Sequence, residues 1–337
     1  VTSKPDLPEL AFYYPNPIWK RGDWVKNLIL FFDGIALLVP EYMQDKLEHF
    51  DPAIVVGLEK HGLLHVIKAE EAVGKEATEQ LGYILSDIIV SGALDSLAKD
   101  STAFDALSRS RLGYYGDEKL ADMIFGQLKK RGLARDTEDG RSIPMHPMVR
   151  SLILTLLSQI LRQYGANRNV SLEPVTDRPL LIAALADMLS LPTAPSHGQV
   201  ITFDLNTVMV DLGPVPIDEV LAFRRENSDA FTEYRRSVRR FAYELSRMSK
   251  EQKELAFEDR QAQLDKMASE LKRRSRKAWR KPASFALAFT GAMWTAASGD
   301  LLGAALAGAG SILGLESPEA VNVGAFSYLF RAHEHYA

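Results

Sequence analysis

The sequence contains no cysteine. That absence excludes disulfides, thiolate nucleophiles and cysteine-ligated zinc, and it suits a reducing compartment. Long apolar runs are missing as well. The two least polar stretches, on either side of Asp300, are about fifteen residues each, against the roughly 20 that a membrane-spanning helix requires. The opening VTSKPDLPEL lacks the apolar core of a secretory leader, so a cytoplasmic protein is expected, with a peripheral place at the inner membrane as the alternative.

Familiar signatures of chemistry are also absent. Gly74-Lys75 is followed by Glu76 where a phosphate-binding loop carries Ser or Thr, and no glycine precedes it at the required spacing. Gly310-Ser311 lacks the Gly-x-Ser-x-Gly spacing of a nucleophile elbow. His61 and His65 stand four apart, but Gly62 to Leu64 supplies no glutamate base, and His333 and His335 belong to the C-terminal tail. Asp204 and Asp211 fall on adjacent strands predicted over 200–205 and 207–212, where turn roles outweigh a shared cation. No catalytic residue, metal or cofactor is assigned.

What is present is an ordinary globular composition, 46% hydrophobic and 25% charged, with length enough for about two domains. Charge is distributed unevenly. The net charge is −4, yet Lys272, Arg273, Arg274, Arg276, Lys277, Arg280 and Lys281 fall within ten residues, so the rest of the chain carries −11. The acidic balance disfavours bulk attraction to nucleic acid, while a focused contact between this cluster, with its Trp279, and lipid headgroups or another anionic partner is a candidate.

The patterning predicts an α+β fold with a small mixed sheet at the N-terminus. Leu10–Tyr14, Ile35–Val39 and Leu63–Lys68 read as strands, Asp23–Phe32 as a helix, and Asp51 as the cap of a helix through Lys60. Residues 1–70 form this α/β part, and 71–215 a mainly helical part with β-hairpins. Within it lie a long helix over Lys75–Lys99, an amphipathic helix over Asp117–Arg131, a hairpin turning at Asp139-Gly140 and a core helix over Met148–Tyr164. Pro216 opens a helix predicted to run to Met248, whose Phe231, Tyr234, Val238, Phe241 and Leu245 step by 3 and 4. Ser249 and Gln252 make a capping box that starts a second helix, so 216–281 reads as a long antiparallel hairpin able to hold a protein partner or a second copy of the chain. Residues 282–337 read as an Ala/Gly-rich apolar hairpin packed with a C-terminal helix over Ala320–His333. Small residues four apart, such as Gly303 and Ala307, suit close helix contact.

Lys129-Lys130-Arg131-Gly132-Leu133-Ala134-Arg135 and the following Asp139-Gly140-Arg141 resemble the recognition-helix end and wing of MarR-type winged-helix repressors. That resemblance implies nucleic-acid contact by Lys129, Lys130, Arg131, Arg135 and Arg141. A second likeness is spread more widely: Tyr13-Tyr14-Pro15, Trp24, Leu28 to Ile35, Val39-Pro40, Gly132-Leu133-Ala134 with His146-Pro147, Pro174 to Asp177, and Ile217 to Arg224. In this order they resemble the punctuation of an uncharacterised bacterial protein family with an α/β N-terminal part and a helical C-terminal part. The family brings no activity or catalytic residue.

These readings favour a non-enzymatic interaction or scaffold protein of a bacterial cytoplasmic assembly, such as a conflict or defence system. Two alternatives stand beside it. One is a membrane-acting effector that inserts 282–315 after residues 272–281 dock. The other is a DNA-binding regulator acting through 117–145.

Overall fold

The computed structural model describes residues 7–19, 22–99, 103–136, 140–176, 178, 181, 185, 188–189, 200–201, 203–204, 207, 212, 214–274 and 326–336. The apolar hairpin expected over 282–315 and residues Arg276, Lys277, Trp279, Arg280 and Lys281 lie outside the described residues. The chain divides into two compact units: Val1–Lys20 with Phe32–Leu191, and Arg21–Phe31 with Pro192–Ala337.

The first unit is built on four strands, β1 (Glu9–Tyr13), β2 (Gly34–Val39), β3 (Leu64–Lys68) and, far along the chain, β6 (Ser171–Val175), in the order β3-β2-β1-β6. Every pairing is parallel, so the expected mixed sheet is corrected to a parallel one. Strands β1 and β2 are buried along their whole lengths, as inner strands covered on both faces must be. The partial exposure of every β3 residue and the presence of Pro174 in β6 mark the two edges. The turn into β2 needs Gly34, since a Cβ there would lie 2.8 Å from the His65 ring and from the Leu63 carbonyl oxygen.

Between β2 and β3 run α1's successors in the chain, the one-turn helices α2 (Glu41–Gln44) and α3 (Leu47–Phe50) and then α4 (Pro52–Lys60); α1 itself (Gly22–Ile29) belongs to the second unit. Asp51 makes no capping hydrogen bond to α4, because its carboxylate instead accepts from the Trp19 indole at 2.8 Å. After β3 come α5 (Ala69–Ala72) and α6 (Lys75–Val90), which stops short of the expected Lys99. Gly92, in the left-handed region at φ 77°, turns the chain there into a 3-10 segment. Then follow β4 (Asp105–Ser108), a 3-10 turn over Arg109–Leu112, α7 (Glu118–Lys130), β5 (Ser142–Met145) and α8 (Pro147–Ala166). Helix α7 is capped by Asp117, whose Oδ1 accepts from the Leu120 N–H at 3.0 Å. Helix α8 is apolar on nearly every side because it is the inner helix of the unit, packed on β6 and α6.

In the second unit, α9 (Ile217–Glu226) and α10 (Ser228–Ser246) replace the single helix expected from Pro216 to Met248, with the break at Asn227. Helix α11 (Lys250–Arg274) starts at the expected capping box, where Ser249 N–H donates to Gln252 Oε1 and Gln252 N–H to Ser249 Oγ. The chain then doubles back, bringing the rings of Phe241 and Phe257 to 5.2 Å. The last helix, α12 (Ser327–Tyr336), lays Tyr328 against Phe31, Phe223 and Phe231 at 5.5 to 5.7 Å, and its hydroxyl donates to the Leu30 carbonyl.

The stretch expected as strands over 200–212 is corrected: Val200, Ile201, Phe203, Asp204 and Thr207 are helical. Its buried positions, 200, 201, 203 and 204, follow a helical face rather than alternating, a distinction that a short β-branched run conceals. Asp204 accordingly sits in no strand pair. It is fully buried and accepts from Arg260 Nε at 2.6 Å, from Arg260 Nη2 at 2.5 Å and from the Tyr234 hydroxyl at 2.7 Å. Asp211 lies outside the described residues.

Candidate functional site

Open parallel sheets bind ligands beyond the carboxyl ends of their strands, where the loops that follow them converge. In the first unit β2 hands over to Glu41 and Tyr42, and β3 hands over to Glu70 within α5. These groups form one wall of a cleft of about 580 Å³. The opposite wall is the segment between β4 and α7, which contributes Arg109, Ser110, Tyr114 and Tyr115, completed by Glu118 at the start of α7 and by Gly140-Arg141. Tyr42 and Tyr115 are 40% and 66% exposed.

This second wall is rigid for identifiable reasons. Gly113 has φ 94°, and Thr78 Oγ1 donates to the carbonyls of Gly113 and Gly74, at 3.3 and 3.0 Å, fastening the turn to the start of α6. A Cβ at Gly116 would lie 2.3 Å from Thr78 Oγ1 and 2.6 Å from the Gly74 carbonyl, so only glycine allows the approach. The Arg109 N–H donates to the Arg141 carbonyl at 3.0 Å, joining the turn to the hairpin. The Arg109 guanidinium lies 3.7 Å above the Tyr114 ring, and the Tyr114 hydroxyl donates to Asp122 at 2.7 Å. Burial, reinforced by that carboxylate, raises the Tyr114 hydroxyl above its ordinary range, so it remains a neutral donor. On the first wall, Glu70 Oε2 accepts from the Glu41 N–H at 3.0 Å.

Behind the cleft the sheet edge carries excess positive charge. Arg111 is buried, its Nη2 donates to the Leu38 carbonyl at the end of β2, and its Nε meets no acceptor among the described residues. Burial pushes this guanidinium down to about 9, and the charge of Arg150 adds to the effect against the opposing influence of Tyr42 and Glu70. Since arginine stays protonated at neutral pH, Arg111 is a cation that the protein itself solvates incompletely. Arg150 donates to the Ala106 carbonyl at 3.0 Å and to Asn16 Oδ1 at 3.2 Å, in the loop after β1. It is lowered by burial, with Asp105 opposing and Arg178, which follows β6, adding. Arginines therefore attend the carboxyl ends of β2, β1 and β6.

The segment expected to resemble a winged helix lies between α6 and α8. Strand β5 pairs antiparallel with β4 and, through Met145, bridges Ala134, so the order is α6, β4, 3-10 turn, α7, Ala134, β5. Its basic groups, however, are engaged locally. Lys129 pairs with Asp136, Arg131 lies 3.6 Å from Asp95, Arg135 stacks on Phe104 at 4.2 Å, and Arg141 lines the cleft, while Lys130 is exposed. The exposed start of α7 presents Glu118 and Asp122, which repel a phosphate backbone.

Of the other sequence-predicted contacts, Lys272, Arg273 and Arg274 close α11, with side chains outside the described residues. Among the described residues no helix is long and apolar enough to cross a membrane, and no group of three or more His, Asp or Glu is placed to hold a metal ion. The apolar stripe of the expected hairpin is buried inside the second unit at Phe231, Tyr234, Val238 and Leu245. Sequence reasoning missed the Arg109–Gly116 wall entirely. Its one legible signal was the packing of two arginines, two tyrosines and two glycines into eight residues between periodic segments. Compared with family profiles, curated proteins and solved structures, the chain matches none.

Proposed function

We propose that the first unit is a receptor for a small polar ligand, and that the chain works as an interaction protein whose state this ligand reports. The observation that carries the reading is the cleft at the carboxyl edge of the parallel sheet. Its lining combines Arg109 and Arg141 with Glu41, Glu70 and Glu118, and sets the exposed Tyr42 and Tyr115 beside them. An occupant that satisfies all three kinds of group has an anionic end, hydroxyl or amino donors and a planar ring. Nucleotides are the ligand class with that combination, and the incompletely solvated Arg111 supports an anion on this side of the sheet.

Thermal unfolding in the presence of mononucleotides, with sugar phosphates and amino acids as comparison ligands, tests the reading. A ligand at one hundred times its Kd stabilises by about 2.7 kcal/mol, which is a rise in Tm of roughly 5 to 10 °C for a unit of this size. Replacing Arg109 and Arg141 together by Gln is expected to abolish the shift while lowering the unliganded Tm by only about 2 to 4 °C, because Arg141 is exposed and Arg109 gives up about 1 kcal/mol of stacking on Tyr114. If no member of the panel moves the Tm, or if the double variant responds like the parent, the receptor reading fails.

A further inference from the structure

Helix α10 has two unlike faces. Phe231, Tyr234, Val238, Ala242 and Leu245, spaced by 3 and 4, are buried in the second unit. On the opposite side Arg236, Arg240, Tyr243 and Arg247 are exposed with the same spacing, Tyr243 to 47%. At 1.5 Å per residue this edge is about 16 Å long. From Arg235 to Arg247 there are five arginines, one carboxylate (Glu244) and no lysine. Arg236 and Arg240 make no side-chain hydrogen bond or ion pair with a described residue, although Glu233 and Glu244 lie within one turn of them. Arg247 lies 5.5 Å from the Tyr243 ring centre, with Nη1 3.4 Å from the tyrosine oxygen.

We propose that this edge docks single-stranded nucleic acid, with Arg236, Arg240 and Arg247 on phosphates and Tyr243 against an unpaired base. Three features select that occupant. The basic groups are all guanidinium, whose planar fork matches phosphate oxygens and whose face stacks on rings. An exposed tyrosine interrupts the row where a base needs a flat surface, which is how proteins hold unpaired strands without reading sequence. An anionic membrane is served less well, because no other large apolar side chain on α10 is exposed among the described residues to enter the acyl layer. The surface is separate from the cleft of the first unit and does not depend on what that cleft binds.

Fluorescence anisotropy of the full chain with a labelled single-stranded oligonucleotide of about 20 residues, and with the corresponding duplex, tests this across a salt series. The single strand is expected to bind more tightly than the duplex, with a log–log salt slope of about −2 for three phosphate contacts at about 0.7 each. Arg236→Gln, Arg240→Gln and Arg247→Gln combined should weaken binding at least tenfold and remove most of that slope. Tyr243→Ala should weaken single-strand binding severalfold and leave the slope in place. All four positions are exposed, and circular dichroism confirms that the variants fold. No binding at low salt, equal binding by the triple Gln variant, or a preference for duplex would each overturn the proposal. So would self-association of the chain through the same arginines in sedimentation, since a second copy would then be the occupant.

Discussion

Asp204 and Arg260 form an ion pair that has left water on both sides: the carboxylate is fully buried and the guanidinium is nearly so, lying 4.5 Å over Phe241 and 4.8 Å over Phe326. Burial works against the Arg260 charge, but the carboxylate outweighs it and holds the guanidinium above its ordinary range. Tyr234, raised by burial and by the same carboxylate, stays neutral and donates the third hydrogen bond. Removing one partner strands the other. Asp204→Asn is therefore expected to destabilise the second unit by about 3 to 5 kcal/mol, the usual result of uncovering a buried charge. Asp204→Leu combined with Arg260→Met should recover most of that loss, because the pair owes its desolvation cost to both charges together. Urea unfolding of the three proteins measures both effects, and a double variant as unstable as Asp204→Asn would refute the account.

At the scale of elements, the turn between β4 and α7 is the part on which the cleft depends. It is held against α6 by distances that leave no room for a side chain at Gly116. Gly116→Ala is expected to cost about 1 to 3 kcal/mol, as overpacking does, and to weaken the ligand-induced shift in Tm. Trimming Thr78 to Ala should not rescue it, since the Gly74 carbonyl carbon and oxygen remain at 2.6 Å. Gly126, inside α7, makes the opposite case: a Cβ there meets nothing within 4 Å. Gly126→Ala should stabilise by about 0.5 to 1 kcal/mol through helix propensity alone. Thermal unfolding of the two variants side by side separates a glycine required by packing from one that is merely tolerated.

For the molecule as a whole, the chain order and the compact units do not coincide. Arg21–Phe31 lies between β1 and β2 in sequence yet belongs with Pro192–Ala337. Within that second unit Phe31 stands 5.2 Å from Tyr234 and 5.7 Å from Tyr328, and Arg224 Nη1 donates to the Ile29 carbonyl at 3.2 Å. Phe31→Ala is expected to remove about 3 to 5 kcal/mol, the cost of a large core truncation, from the unfolding of the second unit. Calorimetry should then show a low-temperature transition that leaves a separate, ligand-sensitive transition of the first unit in place. A single transition shifted as one would mean that the two units do not unfold independently.

The sequence by itself determined the local structure where one signal dominated. The apolar runs of β1, β2 and β3, the amphipathic helix begun at Asp117, the Ser249–Gln252 capping box and the face of α10 follow from side-chain periodicity and turn chemistry, which act over a few residues. It did not determine that the sheet is parallel. The edge strand β6 was hidden too, because Pro174 disguises its strand patterning and its partner β1 lies some 160 residues earlier. Nor did it reveal that Asp204 is a helical residue buried against Arg260, or that Glu41, Glu70, Arg109 and Arg141 share one cleft. Ion pairs, strand partners and cleft walls are contacts between residues distant in the chain. Only the packing of the folded units, which balances burial against charge and steric fit, decides them.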